Sequence, residues 1–129
     1  MKTFRHAVIS PALPEEYLDK KTLVLLHASN FRGERQPDGK VLFTSADACM
    51  VDELCGHFAS LIEHKLQENR ADYPAAVALS IAVIGGRGDI CGGAAYFVTA
   101  FHVKRFSTDE WLAEKEKERE SAAGVELFD

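Results

Sequence analysis

The sequence predicts a single α+β domain, an antiparallel sheet of about four to five strands with one long amphipathic helix packed on a face and a charged C-terminal helix. Three observations carry this expectation. Apolar residues recur at Val51, Leu54, Cys55, Phe58, Leu61, Ile62 and Leu66, the spacing of one helical face. Large and small residues alternate from Ala75 to Ile84, the period of a strand. The segment Ser107-Thr-Asp-Glu110 is a capping box that opens a helix rich in Glu, Lys and Arg.

Taken in order, Phe4 to Ile9 forms a short strand broken by Pro11 and Pro14, and Glu15 to Leu18 makes one helical turn. Thr22 to Ala28 (TLVLLHA) is a short apolar run, predicted as a strand buried on both faces. Ser29 to Lys40 combines Asn, two Gly, Pro and an Asp-Gly step, which is loop chemistry, and Val41 to Thr44 is the next strand. The long helix is predicted from Ser45 to Asn69, capped by the hydroxyl of Thr44 or Ser45, with His57 and His64 on its polar face. Gly56 costs a helix about 1 kcal/mol relative to Ala and so is expected to mark a close approach to another element.

Ala75 to Ile84 and Ala95 to Phe106 then pair as a hairpin across the loop Gly85 to Gly93. A helical form of either segment is the alternative, since Pro74 opens and Gly85 closes the first. The last helix runs from Thr108 to Ser121, with Trp111 and Leu112 directed at the core.

The 129 residues amount to one domain, 1–129, with 15 Lys plus Arg against 20 Asp plus Glu and a net charge of −5. The acidic balance and scattered basic residues argue against nucleic-acid binding, which needs clustered Lys and Arg to neutralise phosphates. No apolar run is long enough to span a membrane, and none near the N-terminus resembles a signal-peptide core. Three cysteines with no C-x-x-C spacing suit reduced thiols in a cytoplasm.

Charge is sparse between Tyr73 and Phe101, where only Arg87 and Asp89 are charged. A strand pair with one face in water normally alternates apolar and polar residues. Here the second face is read as Ala76, Ala78, Ser80 and Ala82 against Tyr96, Val98, Ala100 and His102, small and mildly apolar. Such a face is covered either by a helix or by another subunit, and a homo-oligomer, preferably a dimer, is expected because the remaining helix is mostly charged.

The loop Gly85 to Gly93 holds five glycines in nine residues and is the candidate ligand site: Gly86, Arg87, Gly88, Asp89, Cys91, with His102 on the partner strand. Exposed backbone N–H groups and a guanidinium suit a phosphate or carboxylate, so an anionic small molecule is the ligand class. Neither phosphate-binding glycine signature is present, and a plain hairpin connection explains the glycines as well. Cys91 is a nucleophile only if Arg87 lowers its pKa and a histidine, His102, stands beside it. Cys49 and Cys55 project differently from a helix and make no metal pair, no histidine lies in a metal-binding frame, and no metal or other cofactor is called for. His27 is expected as a hydrogen-bonded core residue and His57 and His64 as solvated ones.

With no catalytic constellation, the sequence is read as a non-enzymatic interaction protein: a small regulator, inhibitor or chaperone that binds a protein partner as a homodimer. The alternatives are a nucleotide or small-ligand binder using the loop around Arg87 and, more weakly, a Cys/His-dependent enzyme.

Overall fold

The computed structural model describes residues 2–69, 73–87 and 90–126, the side chains of 90, 91 and 120–126 excepted. It is α+β, with six antiparallel strands, β1 (Thr3–Pro14), β2 (Phe31–Arg35), β3 (Lys40–Ser45), β4 (Ala76–Gly85), β5 (Ile90–Thr99) and β6 (Val103–Ser107), in the order β2-β3-β1-β4-β5-β6. Three α-helices accompany them: α1 (Lys20–Ala28), α2 (Val51–Gln67) and α3 (Thr108–Glu126).

Helices α1 and α2 lie on one face of the sheet. Leu54, Cys55 and Phe58 of α2 meet Ile9, Val77, Leu79 and Val98, all buried. Leu26 of α1 and Phe31, Val41 and Phe43 of the neighbouring strands complete the same core. Glycine is required at one position here: a Cβ at Gly33 would stand 2.7 Å from Val41 Cγ1 and 2.8 Å from Phe43 Cε1, so only a bare backbone lets those side chains cross β2.

Several elements differ from expectation, each for a physical reason. Thr22 to Ala28 is helical, not a strand, because Asp19 caps it: its carboxylate accepts the Thr22 N–H. A run of seven residues has no period of its own strong enough to choose. The stretch Ser29 to Lys40 is not all loop. Phe31–Arg35 pairs with β3 as an edge strand, where charged side chains face water without cost. Strand β1 runs through Pro11 and ends on Pro14, its register shifting between Ile9 and Leu13, and such an irregularity accommodates a residue without an N–H.

Helix α2 begins at Val51 rather than Ser45. Ser45 instead ends β3, where it is buried opposite Ala7, and Met50 enters the helix at φ 53°. Gly56 has nothing within 4 Å of an added Cβ, so the expected close approach is absent. Leu66 lies off the buried stripe and is exposed. The predicted strand Ala95 to Phe106 is two strands, β5 and β6, joined by a turn at Ala100 to His102, which raises the count to six.

The hairpin register also reverses the expected faces of β5. Val77 pairs with Val98 and Leu79 with Tyr96, so Tyr96 and Val98 point to the helices, and Phe97 and Ala95 share the other face with Ala78 and Ser80.

Candidate functional site

The predicted ligand loop is the tip of the β4-β5 hairpin. Gly86 and Arg87 form an exposed turn there, while Gly88 and Asp89 fall outside the described residues. Cys91 stands near the start of β5, and its side chain is likewise outside them. His102 follows the opposite end of that strand. Thr99 lies eight positions along the strand from Cys91, roughly 26 Å at a rise of about 3.3 Å each. The fold therefore does not bring Cys91 and His102 together.

His102 has a local task instead. Its N–H donates to Thr99 Oγ1 at 3.2 Å and its carbonyl accepts the Thr99 N–H at 2.8 Å, closing the turn between β5 and β6. The glycines at the base of the loop also have structural partners. Gly92 adopts φ 142°, and a Cβ on it would meet Thr108 Oγ1 at 2.9 Å. The Gly93 N–H donates to Thr108 Oγ1 at 3.0 Å, and that hydroxyl lies 3.2 Å from the Gly93 carbonyl oxygen. Two glycines of the rich segment thus seat the first residue of α3.

A polar constellation that the sequence reading missed joins α1 to α2. Thr22 Oγ1 donates to Asp19 Oδ1 at 2.6 Å and lies 2.8 Å from His57 Nε2. A hydroxyl has one proton, and the carboxylate takes it, so His57 Nε2–H is the donor to Thr22. Burial lowers the His57 pKa, with the Asp19 carboxylate opposing and Lys21 reinforcing the shift. The Asp19 pKa is lowered by the hydrogen bonds from Thr22.

The order Asp-Thr-His resembles a relay, but the threonine proton points to the carboxylate and no base faces it. Its chemistry is capping and clamping rather than nucleophilic attack. The signal was present in the sequence: Asp19-Lys-Lys-Thr22 has helix N-cap spacing, and it would also have moved His57 out of the solvated class.

The cysteines with described side chains are quiet. Cys55 is buried and its pKa is pushed up to about 12 by desolvation, with Asp52 adding to the shift. Cys49 Sγ donates to the Ala28 carbonyl and accepts from Asn30, in a junction where Asn30 also holds the Asp47 carbonyl. His27 is exposed, not a core residue. Beside it a shallow cleft is lined by Asn30, Phe31, Arg32, Thr44 and Asp47, whose carboxylate already accepts the Arg5 N–H. Among the described residues no group of three or more His, Cys, Asp and Glu is placed to hold a metal ion. Among the same described residues no helix is long and apolar enough to cross a membrane.

What remains is a pair of surfaces. Among the described residues the second face of the sheet is open at its centre: Val8, Ser80, Phe97 and Phe106 are exposed there, with Ala78, Ala82 and Ala95 between them only partly buried. Helix α3 leaves β6 with no linker, held by the Thr108 contacts and by Ser107 Oγ, which accepts the Glu110 N–H at 3.2 Å. Beyond Thr108 its described side chains, Asp109 to Arg119, are all exposed, Trp111 and Leu112 included. The expected core role of those two residues is therefore not met within the chain.

Fold and site together define an α+β protein whose sheet has one covered and one open face among the described residues, and whose last helix exposes its side chains from Asp109 to Arg119. A scan against protein-family models finds no match. Searches of curated proteins and of solved structures find no significant match.

Proposed function

We propose that this is a non-enzymatic interaction protein, a small regulator, inhibitor or chaperone that works as a homodimer and engages a protein partner through α3. The observation that carries this is the exposure of α3. It has 19 residues, and from Asp109 to Arg119 every described side chain faces solvent. A lone helix gains little stability from propensity in water, where packing of a face normally supplies it. This one carries Trp111 and Leu112, 44% and 56% exposed, beside alternating charges, the combination of an apolar anchor and a polar surround that interfaces use.

A photo-reactive residue in place of Lys115, introduced in the cells of origin, tests this. The expected result is a discrete adduct with another protein that disappears when Trp111→Asp and Leu112→Asp are combined, while the melting temperature of the domain stays as it was. An adduct pattern indifferent to both substitutions, or no adduct with another protein, overturns the docking role of α3.

The anionic-ligand alternative is supported by the exposure of Arg87 at the hairpin tip, and melting in the presence of nucleotides and metabolites tests it. A ligand at 100 times its dissociation constant stabilises by about 2.7 kcal/mol, and Arg87→Ala abolishes that rise if the site is real.

A further inference from the structure

The register of all six strands fixes what stands beside what on the bare face. One row crosses the sheet as Arg32, Thr44, Val8, Ser80, Ala95 and Phe106. The adjacent row runs through Glu34 and Leu42 on β2 and β3, then Ser10, Ala78, Phe97 and Lys104 across β1, β4, β5 and β6. A third begins with His6 beside Ala82 and Gly93. The charges of the first two rows stand at their ends, Arg32 at one end of the first and Glu34 and Lys104 at the two ends of the second, and the middle is apolar or small. That is the layout of an interface, an apolar centre with a polar rim.

We propose that this face packs on the same face of a second copy, about a two-fold axis that runs parallel to the strands between β1 and β4. The proposal rests on the homodimer in the functional reading and adds the surface and the symmetry operator. Rotation about that axis keeps each row at its own level and reverses its direction. It sets β1 over β4 of the copy, β3 over β5 and β2 over β6.

On either side of the axis, bulky groups then meet small ones. Val8 lies over Ser80 of the copy and His6 over Ala82, so β1 fills the furrow of small residues along β4. Leu42 lies over Phe97. At the rim Glu34 faces Lys104, and Arg32 faces the ring of Phe106, an ion pair and a cation–π contact. Aligned sheets pack about 10 Å apart with a rotation near 30°, which central contacts tolerate best and long rim side chains absorb.

The size agrees. Six strands at about 4.8 Å spacing and six or seven residues of height, at about 3.3 Å each, give a projected area of about 600 Å², before side-chain relief is counted. A standard interface buries about 800 Å² of accessible surface per partner. An axis perpendicular to the strands would instead set β2 over β2 and β6 over β6, opposing Lys104 with β6 of the copy and removing the Glu34 partner.

The test uses the full chain with Ser80→Glu and, separately, with Val8→Lys. Light scattering of the wild type at tens of micromolar is expected to give a dimer. Ser80→Glu buries an unpaired carboxylate twice in a two-fold contact and is expected to weaken the dimer at least about 100-fold. Its circular dichroism and melting in the monomer stay unchanged, since Ser80 is exposed in the single chain.

Mixing the two variants is the sharper arm. The ammonium introduced by Val8→Lys on one chain then faces the carboxylate introduced by Ser80→Glu on the other, so native mass spectrometry is expected to show the mixed dimer in clear excess over either homodimer. A wild-type monomer overturns the homodimer and this proposal together. A wild-type dimer that Ser80→Glu leaves intact, or variants that mix without forming an excess of heterodimer, overturns this geometry alone and leaves self-association standing.

Discussion

The two faces of the sheet are built from the same strands and differ in one respect, the size of what alternates. Toward the helices β4 presents Val77, Leu79 and Ile81, each at most 4% exposed, and α2 seats Leu54, Cys55 and Phe58 upon them. Away from the helices the same strand presents Ala76, Ala78, Ser80 and Ala82, Ser80 exposed and the alanines only partly buried among the described residues. Burial of a large side chain contributes roughly 1.5 to 3 kcal/mol, and of a methyl much less. The domain therefore draws most of its stability from the covered face.

The largest expected difference between the faces lies between two phenylalanines. Phe58→Ala should cost about 3 to 5 kcal/mol in chemical denaturation, because it opens a cavity against the sheet. Phe97→Ala, at dilutions where the chain is monomeric, should cost less than about 1 kcal/mol, since its ring is 46% exposed. Equal costs would show that the second face is covered.

A smaller effect is expected where α1 is clamped to α2 on the covered side. Thr22→Val removes the hydroxyl that joins Asp19 to His57 and should destabilise by about 1 to 2 kcal/mol, chiefly by leaving the half-buried His57 N–H without that partner.

The same clamp makes stability depend on pH in two separate windows. The folded pKa of His57 lies below its ordinary 6.5, so the unfolded chain takes up a proton first. Its contribution is complete above about pH 6.5 and is lost as pH falls through the lower folded value. The Asp19 pKa is also depressed, from 3.8, so its contribution is present above that value and disappears only in stronger acid. Denaturation midpoints measured at intervals from pH 8 to pH 5 should decline below about 6.5, and His57→Asn should flatten that decline.

The smallest effect has the opposite sign. Gly56→Ala in α2 should stabilise by about 0.5 to 1 kcal/mol, because open space surrounds the added methyl and helix propensity improves. A loss would reveal a neighbour at that point, as the sequence had suggested.

Much of this was legible in particular residues. The period of Val51 to Ile62 marks α2 and its buried side, and the Ser107 hydroxyl does cap α3 through the Glu110 N–H. The alternation in β4 identifies both the strand and its odd second face. The candidate ligand site was less legible. Glycines at 92 and 93 read as part of a glycine-rich loop in one dimension, yet they accommodate Thr108, sixteen and fifteen residues further on. Edge strand β2 was hidden because a strand paired on one side only can be as polar as a loop. Helix α1 was hidden because a short apolar run fits either period, and Asp19 decided it.

The sequence by itself determined the class of fold, the element types of the long segments, and the existence of an uncharged sheet face, because periodicity and charge are properties of local order. Only the tertiary structure decided which residues occupy that face. The side-chain period of a strand is two, so the register of one hairpin, set by its turn, assigns Phe97 rather than Tyr96 and Val98 to the open side. Distance decided the rest. A strand of ten residues keeps Cys91 and His102 at opposite ends of the sheet, while a single threonine brings Asp19 and His57 together.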